Sequence, residues 1–232
     1  MQGVTNEGAA PGLRERKKRA TRAALAEAAV RLAAEHGAEN VTVEAISEAA
    51  GVSPRTFFNY FDSHDDAFVM MDRDAGERVR QAVREAPAEL SPVEAVREAL
   101  ATELVDVAER QEIWRLRATV LQRSPRLLVR GLGAHMAEEL EMAETIAVRL
   151  GSRAQDETSA AAQGACGKGS GNGLDSPAPG LYPRLLAAVA GTAVRVAVEH
   201  WCAQGPDADF SEVFRRVFTL LADGLAEPPP AG

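Results

Sequence analysis

The side chains best suited to recognition chemistry stand close together, just after a predicted turn. Arg55, Thr56 and Asn59 lie in a short stretch that opens with Ser53 and Pro54. An arginine guanidinium can span the N7 and O6 atoms of guanine, and an asparagine amide can pair with adenine. Threonine offers a methyl group to thymine or a hydroxyl to phosphate. Together these residue types predict a surface that contacts the edges of base pairs.

A dense run of positive charge lies ahead of this stretch. Six of the 26 lysines and arginines fall within nine residues, against Glu15 alone. The six are Arg14, Arg16, Lys17, Lys18, Arg19 and Arg22. The chain as a whole is acidic, with a formal charge of −8. The positive charge is therefore local, and its place before the candidate reading residues predicts contact with a phosphate backbone.

Three predicted helices must position these side chains. The first follows the basic run, carries apolar residues at i, i+3, i+4 spacing from Leu25, and ends where Gly37 can adopt a left-handed conformation. Thr42 can cap a short second helix, and Ser53 can cap a third that has proline at its first position. A tight turn containing Gly51 joins the last two, which is the arrangement of a helix-turn-helix.

The apolar residues of this region are expected to form its core. Val43, Ile46 and Ala50 share one face of the second helix. Phe57 and Phe61 add an i, i+4 aromatic pair, and we assign both to the core. The polar side chains of the third helix are thereby left on the outside.

The stretch VTVEAISEAAGVSPRTFFNYF, residues 41–61, resembles the N-terminal DNA-binding domain of the TetR family of transcriptional regulators. The resemblance covers roughly residues 16–68, and the later residues match the family only in architecture. It rests on His36, Gly37, Thr42, Ile46, Ala49, Gly51, Val52, Ser53, Thr56, Phe57, Phe58, Tyr60, Phe61 and Ser63. It implies a homodimeric, ligand-responsive regulator, most often a repressor, that binds double-stranded operator DNA.

The resemblance also implies roles for individual residues. Thr42 and Tyr60 would contact phosphate oxygens, and the basic run would contact the backbone or the adjacent minor groove. We place Ser53 and His64 in the same backbone-contacting group. His64 stands where the family usually has lysine, so a neutral imidazole donor replaces a permanent charge.

The remainder of the chain predicts a helical body. No run of alternating apolar and polar residues indicates a strand, so the expected fold is all-α, with about nine helices. The helices at 183–204 and 210–225 carry apolar surface wider than one stripe, which predicts a four-helix dimer interface between two copies. Its core is expected to include Val189, Val196, Phe214, Val217 and Leu221.

The helices at 92–150 are expected to enclose a small apolar or amphipathic inducer. The pocket is predicted to be walled by Leu104, Val107, Trp114, Leu121 and Met136. A shift of the helix from Ser63 to about Glu85 would couple this pocket to the DNA-binding domain.

Glycine, proline and charge patterns give the predicted boundaries. Gly151 is expected to end a helix and to start a long disordered loop at 152–180, within the ligand-binding and dimerisation domain. The predicted segments are a disordered lead at 1–13, a helix-turn-helix DNA-binding domain at 14–63, the helical domain at 64–227 and a tail at 228–232.

Composition excludes several classes of protein. A chain of 232 residues with 46% apolar and 26% charged residues is neither disordered nor collagen-like. No continuous apolar run approaches the ~20 residues of a membrane helix, and no secretory signal follows Met1, so we expect a cytoplasmic protein without a membrane partner. Cys166 and Cys202 form neither a metal-binding spacing nor a disulfide framework.

An all-helical enzyme or metal carrier is the alternative from another class. His135 and Glu139 stand at i, i+4 and could ligate a metal, but no second pair stands at a matching spacing. The sequence also lacks a Ser, His, Asp set and a phosphate-binding glycine loop with a flanking strand. We therefore expect no enzymatic activity, no cofactor and no metal. A constitutive architectural DNA-binding protein is a third option, against which a small-molecule pocket would argue.

Overall fold

The structure is a computed structural model that describes residues 13–69, 73–161, 179–204 and 207–224. Within these ranges the chain forms ten α-helices and two short 3₁₀ helices and contains no strand, so the predicted all-α fold is confirmed. The α-helices are α1 (Leu13–His36), α2 (Val43–Ala49), α3 (Pro54–Phe57), α4 (His64–Val69), α5 (Arg73–Glu85), α6 (Pro92–Glu103), α7 (Gln111–Arg123), α8 (Pro125–Ala161), α9 (Leu181–Ala203) and α10 (Phe210–Ala222). The 3₁₀ helices are Ala38–Asn40 and Val105–Arg110.

The described residues divide into two compact units. The head unit lies within Met1–Met71 and Arg115–Gly131, and the body unit lies within Asp72–Trp114 and Leu132–Gly232. α7 and α8 thus contribute residues to both units. The head unit is larger than the DNA-binding domain predicted at 14–63, because it also takes in α4 and the corner where α7 meets α8.

The head unit is built on one apolar cluster. Ile46 of α2 and Phe57 of α3 are fully buried in it, together with Phe61. Val120 of α7 and Leu127 of α8 are buried in the same cluster. The core roles predicted for Phe57 and Phe61 are therefore confirmed, and the α7–α8 corner supplies core residues that lie about sixty positions later in the chain.

The basic run lies within α1, whereas the sequence predicted that the first helix follows it. Residue 13, expected to end a disordered lead, is also helical. α1 begins at Leu13 and continues without interruption to His36. Alanine, leucine, arginine, lysine and glutamate dominate this stretch, all of which favour helix, and it contains neither glycine nor proline. Gly37, with φ 82°, follows the last helical residue as predicted.

The body unit contains two apolar clusters. Val83, Val96, Ile146 and Leu186 bring α5, α6, α8 and α9 together in the first. The second is aromatic: Trp201 of α9 packs edge-to-face on Phe210 of α10, with ring centroids 5.2 Å apart, and Phe214 and Phe218 continue the row. α9 therefore joins both clusters and is a central helix of the body unit.

α8 corrects the predicted boundary at Gly151. The helix runs through this glycine to Ala161, so the first ten residues of the loop expected at 152–180 are helical. Gly151 does not adopt a positive φ, and the residues that follow it include alanine, arginine, glutamine and glutamate, which favour helix. Residues 162–178, with Cys166 among them, and the predicted tail at 228–232 lie outside the described residues.

Other predicted helix limits differ by smaller amounts. The helix expected from Ser63 to about Glu85 is seen as α4 and α5, and residues 70–72 lie outside the described part of the chain. α9 begins at Leu181, ahead of the predicted start at Pro183, since proline is tolerated in a first helical turn.

One helix in the described ranges, α9, is long and apolar enough to cross a membrane by length and composition alone. The sequence expectation considered only continuous apolar runs, and Arg184 and Arg195 interrupt this one. A core helix of a soluble protein passes the same test. α9 buries seven of its 23 residues, among them Leu186, Ala197 and Trp201, and a single helix of this kind is weak evidence for a membrane span.

Candidate nucleic-acid interface

Two capped helices and a glycine turn build the candidate interface. The Thr42 hydroxyl accepts a hydrogen bond from the backbone N–H of Ala45 at 3.2 Å, and Ser53 accepts one from the backbone N–H of Thr56 at 3.2 Å. Gly51 adopts φ 68° in the turn between the helices, a conformation that strains other residues. The predicted helix-turn-helix, with its caps, is therefore present.

α3 and the turn directly after it, which contains Asn59, present the predicted reading residues in two ways. Arg55 and Asn59 are exposed, and within the described residues neither side chain makes a hydrogen bond. Thr56 is half-buried, and its hydroxyl lies 2.9 Å from the Ser53 hydroxyl. Arg55 and Asn59 thus keep all their donors for an external partner, whereas Thr56 shares its hydroxyl with the cap of its own helix.

Phe58 is an exposed aromatic residue that the sequence analysis left without a role. Its side chain is 58% exposed, and its ring meets that of buried Phe57 edge-to-face at 5.4 Å. Residues 55, 58 and 59 stand at i, i+3, i+4, so they lie on one side of the turn, opposite the core. This spacing was the signal in the sequence that Phe58 is exposed beside Arg55 and Asn59. It was missed because a run of aromatic residues usually indicates core.

The six basic residues of α1 separate into two groups. Arg14, Arg16, Lys17 and Lys18 are exposed, and Arg19 is half-buried. Arg22 is turned onto the helix-turn-helix: its guanidinium lies 4.4 Å from the centroid of the Phe61 ring, and it donates a hydrogen bond to the Tyr60 carbonyl. The structure thus gives Arg22 partners within the head unit.

The remaining predicted backbone contacts also differ in their surroundings. Thr42 is exposed at the start of α2, and Tyr60 is half-buried against the apolar cluster. The His64 ring packs edge-to-face on Phe68, with centroids 4.7 Å apart, and its Nδ1 lies 3.2 Å from a carboxylate oxygen of Asp65. His64 Nε2 is buried and has no hydrogen-bond partner within the described residues. This ring orientation does not favour the phosphate contact predicted for His64.

The five predicted pocket residues do not form one cluster. Leu104, Val107 and Trp114 pack on the aromatic cluster of the body unit. Leu121 packs on the core of the head unit, and Met136 is 68% exposed on α8. Residues on one helical face can serve different cores when a helix is shared by two units, which sequence spacing does not reveal.

The predicted interface residues are also divided. Phe214 is buried among aromatic rings of its own chain, so its area is already covered. Val189 and the α10 residues Val217 and Leu221 are half-buried, and Val196 of α9 is exposed. Exposed apolar residues that the sequence analysis did not select continue along the same helices: Leu181, Leu185 and Leu220.

The His135–Glu139 pair is a contact between two neighbouring side chains of α8 rather than part of a larger polar group among the described residues. His135 Nε2 lies 3.2 Å from a carboxylate oxygen of Glu139, and the imidazole packs against Gly191 of α9. Among the residues that the structure describes, no three histidine, cysteine or carboxylate side chains come together as metal ligands do. The packing at Gly191 gives the pair a structural role between α8 and α9.

Comparisons with known proteins agree with this geometry. Residues 25–69 match the family described as bacterial regulatory proteins, tetR family, and residues 172–226 match the MftR C-terminal domain. The HTH-type transcriptional regulator TcmR of Streptomyces glaucescens is 34% identical in an alignment of 157 residues that covers 63% of this chain and 68% of that protein.

Two solved structures share the fold. The complex of SmeT with triclosan, SmeT being a repressor from Stenotrophomonas maltophilia, matches with a TM-score of 0.52 at 19% identity and covers 92% of this chain and 99% of SmeT. The fatty acid degradation regulator FadR from Bacillus halodurans also matches with a TM-score of 0.52, at 21% identity, and covers 87% of this chain and 98% of FadR.

A capped helix-turn-helix on a helical body defines the protein as a DNA-binding transcriptional regulator. The chain belongs to the TetR family.

Proposed function

We propose that the protein is a cytoplasmic, homodimeric repressor that leaves its operator when a small apolar or amphipathic molecule binds the body unit. The observation that carries the DNA-binding part is the exposed side of α3. There Arg55 on α3 and Asn59 in the turn after it hold hydrogen-bond donors that no group in the described chain uses, next to a helix fixed by its own cap. Exposed donors on a rigid element favour direct contact with base edges.

We assign base contacts to Arg55, Thr56 and Asn59, and we add Phe58. An exposed phenyl ring between a guanine-reading arginine and an adenine-reading asparagine has the chemistry to contact the methyl group of thymine. Exposing this ring to water costs free energy in the free protein, and this free energy would be regained when the DNA covers the ring. Phe58 would therefore contribute to sequence preference without making a hydrogen bond.

We assign phosphate contacts to the exposed residues of α1 and to the starts of the short helices. The N-terminal half of α1 carries six of the 13 lysines and arginines of the head unit in a protein that is acidic overall. Thr42 and Ser53 lie at helix N-termini, where backbone N–H groups favour an anion. Arg22 is left out of this group because it already has partners within the head unit.

Selection of DNA from a random library with the purified protein tests the DNA-binding proposal. We expect an enriched palindrome whose half-sites are about 34–36 Å apart, or a multiple of that distance, because a two-fold dimer presents two recognition helices to successive turns of the major groove. Gel shifts with the enriched site would then give its affinity. A library that shows no enrichment would contradict the proposal.

The homodimer proposal rests on exposed apolar side chains of α9. Leu181 is 84% exposed, and Leu185 and Val196 lie on the same side of this helix. A second copy would bury this stripe on both chains. Leu185→Glu with Val196→Glu should therefore give monomers in sedimentation, while Ala101→Glu with Thr102→Glu, at exposed positions of α6, should not. A double variant that stays dimeric would place the interface elsewhere.

The inducer proposal rests on the apolar side chains around Trp114. Leu104, Val107 and Trp114 are only half-buried at the edge of an aromatic cluster, so an apolar molecule could complete their burial. Laurate and anilinonaphthalene sulfonate are suitable amphipathic probes, and Trp114→Phe separates the Trp114 signal from that of Trp201. The proposal requires a probe that quenches Trp114 to lower affinity for the selected DNA, and quenching without such a change would overturn it.

A further inference from the structure

α4 is held at both ends by arginines from the α7–α8 corner of the same unit. At its C-terminal end, Arg117 of α7 donates two hydrogen bonds to the Val69 carbonyl, from Nε at 3.0 Å and from Nη2 at 2.7 Å. At its N-terminal end, Arg126 of α8 donates to Asp65 at 2.8 Å. Arg130, one turn further along α8, donates to Asp66 at 2.8 Å.

These contacts stabilise a helix that is too short to be stable on its own. α4 has six residues, and isolated helices of fewer than about 12 residues are marginal in water because nucleation is costly. A cation at the last carbonyl and two carboxylates at the first turn both complement the helix dipole. Phe68, the residue before the last one of α4, is fully buried in the core of the head unit.

Asp66, the carboxylate that pairs with Arg130, is also held by hydrogen bonds within its own helix start. Asp66 also accepts hydrogen bonds from the N–H and the hydroxyl of Ser63, both at 2.9 Å. Partial burial acts to raise the pKa of the Asp66 carboxyl, but the hydrogen bonds from Arg130 and Ser63 outweigh it and lower that pKa. Asp66 is therefore held in its charged form as a partner for Arg130.

α4 follows the DNA-reading turn almost directly. Only residues 61–63 separate it from Tyr60, and Phe61 packs at 5.1 Å on the ring of Phe57 in α3. Asp65 and Asp66 would also present two negative charges to phosphate if nothing opposed them. The arginines thus hold α4 next to the reading helix α3. They also neutralise the negative charge of Asp65 and Asp66.

We propose that Arg117, Arg126 and Arg130, the arginine grip, are positioning residues for DNA binding: they fix α4, and through Phe61 the reading side of α3, to the α7–α8 corner. The inference rests on the DNA-binding function proposed above. It assigns a role in the head unit to residues that lie 48 to 64 positions away from their partners.

Alanine variants and a charge-swapped pair test whether the arginine grip positions α3 for DNA binding. Arg126→Ala with Arg130→Ala removes both ion pairs, and Arg130→Asp with Asp66→Arg reverses one pair while keeping the net charge. Because exposed pairs are individually weak, we expect the double alanine variant to lose about five- to tenfold in affinity for the DNA site selected by the wild-type protein, and the swap to retain most of it. Arg31→Ala with Arg195→Ala, which removes two exposed arginines paired with Glu27 and Glu199, is the matched control.

Binding to scrambled DNA separates positioning from simple effects of charge or of stability. Positioning predicts that the double alanine variant loses affinity for the selected site. Its affinity for scrambled DNA and its melting temperature should stay close to those of the control with two exposed arginines removed. Equal losses on both DNAs would mean that only charge matters, and losses that follow the melting temperature would mean that only stability matters. Either result overturns the grip, as does a double variant that binds like the control. A wild-type protein that enriches no DNA site would overturn the proposed function together with it.

Discussion

Arg149 in the body unit and Arg55 in the head unit are used in opposite ways. In the body unit, Arg149 is 6% exposed and donates to the carbonyls of Ala86 and Pro87 at 2.7 and 2.6 Å, with further bonds to Val83 and Leu90. In the head unit, Arg55 is exposed and makes no hydrogen bond within the described residues. A buried arginine with several acceptors supports the fold, and an exposed one on a rigid helix is available to a ligand.

Two head-unit arginines show that membership of one basic run does not decide between these uses. Arg22 comes from the same basic run as Arg16, yet it lies over the Phe61 ring and bonds the Tyr60 carbonyl. Arg16 remains exposed. Each arginine must therefore be assigned from its contacts, and the following experiments test that assignment.

The largest expected effect is at Arg149. Arg149→Ala leaves several carbonyls around the end of α5 without a donor, so we expect the free energy of unfolding to fall by about 3 kcal/mol. Urea unfolding followed by circular dichroism measures it. Arg195→Ala, which removes an exposed i, i+4 partner of Glu199, should cost less than about 0.5 kcal/mol. If the two variants lose the same free energy of unfolding, buried and exposed arginines do not differ in their contribution to stability.

Arg22 should behave as a structural residue of the head unit. Arg22→Ala removes a cation–π contact and a hydrogen bond to a backbone carbonyl, so about 1–2 kcal/mol of stability should be lost. Arg16→Ala should leave stability within about 0.5 kcal/mol and should instead weaken DNA binding more at low salt than at high salt. If the two variants are equally stable, the assignment of Arg22 from its contacts is wrong.

Phe58 extends the comparison to an uncharged side chain. Replacing thymine by uracil in the selected DNA removes one methyl group, and we expect a loss of about 0.8 kcal/mol or less at the contacted position in the wild-type protein. With Phe58→Ala the same replacement should have no effect. A uracil penalty that persists in the variant would assign the methyl contact to another residue.

The smallest expected effect is on acid stability. A carboxyl whose pKa is lowered by folding stabilises the protein above its unfolded pKa, and this contribution is lost as pH falls through the folded value. The pKa of Asp66 is lowered from 3.8, so its contribution should disappear as pH falls below about 4. Asp66→Asn should flatten the pH dependence of the melting temperature in that range, and an unchanged profile would mean that the pair with Arg130 adds no stability.

Local signals made most of the head unit predictable. Thr42, Ser53 and Gly37 act within a few residues of their own positions, so their roles followed from sequence spacing. Gly151 failed as a signal because a glycine without positive φ can remain inside a helix whose neighbours favour it.

Contacts between distant residues were not predictable from the sequence. The orientation of Arg22 depends on a ring 39 positions away, and Arg130 pairs with a carboxylate 64 positions away. A basic run or an isolated arginine gives no indication of such partners. The sequence therefore predicted the residue types of the candidate site, while the internal contacts of Arg22 and Arg130 required the structure.

The central claim is that the exposed side of α3 reads base pairs, and Arg55 tests it most directly. Affinities of the wild-type protein and of Arg55→Ala should be measured for the selected site and for all its single-base-pair variants. We expect Arg55→Ala to cost about 1–3 kcal/mol on the selected site and to remove discrimination at one base pair while the other positions keep theirs. A loss of the same size on every DNA sequence would contradict this account and would make Arg55 a phosphate contact.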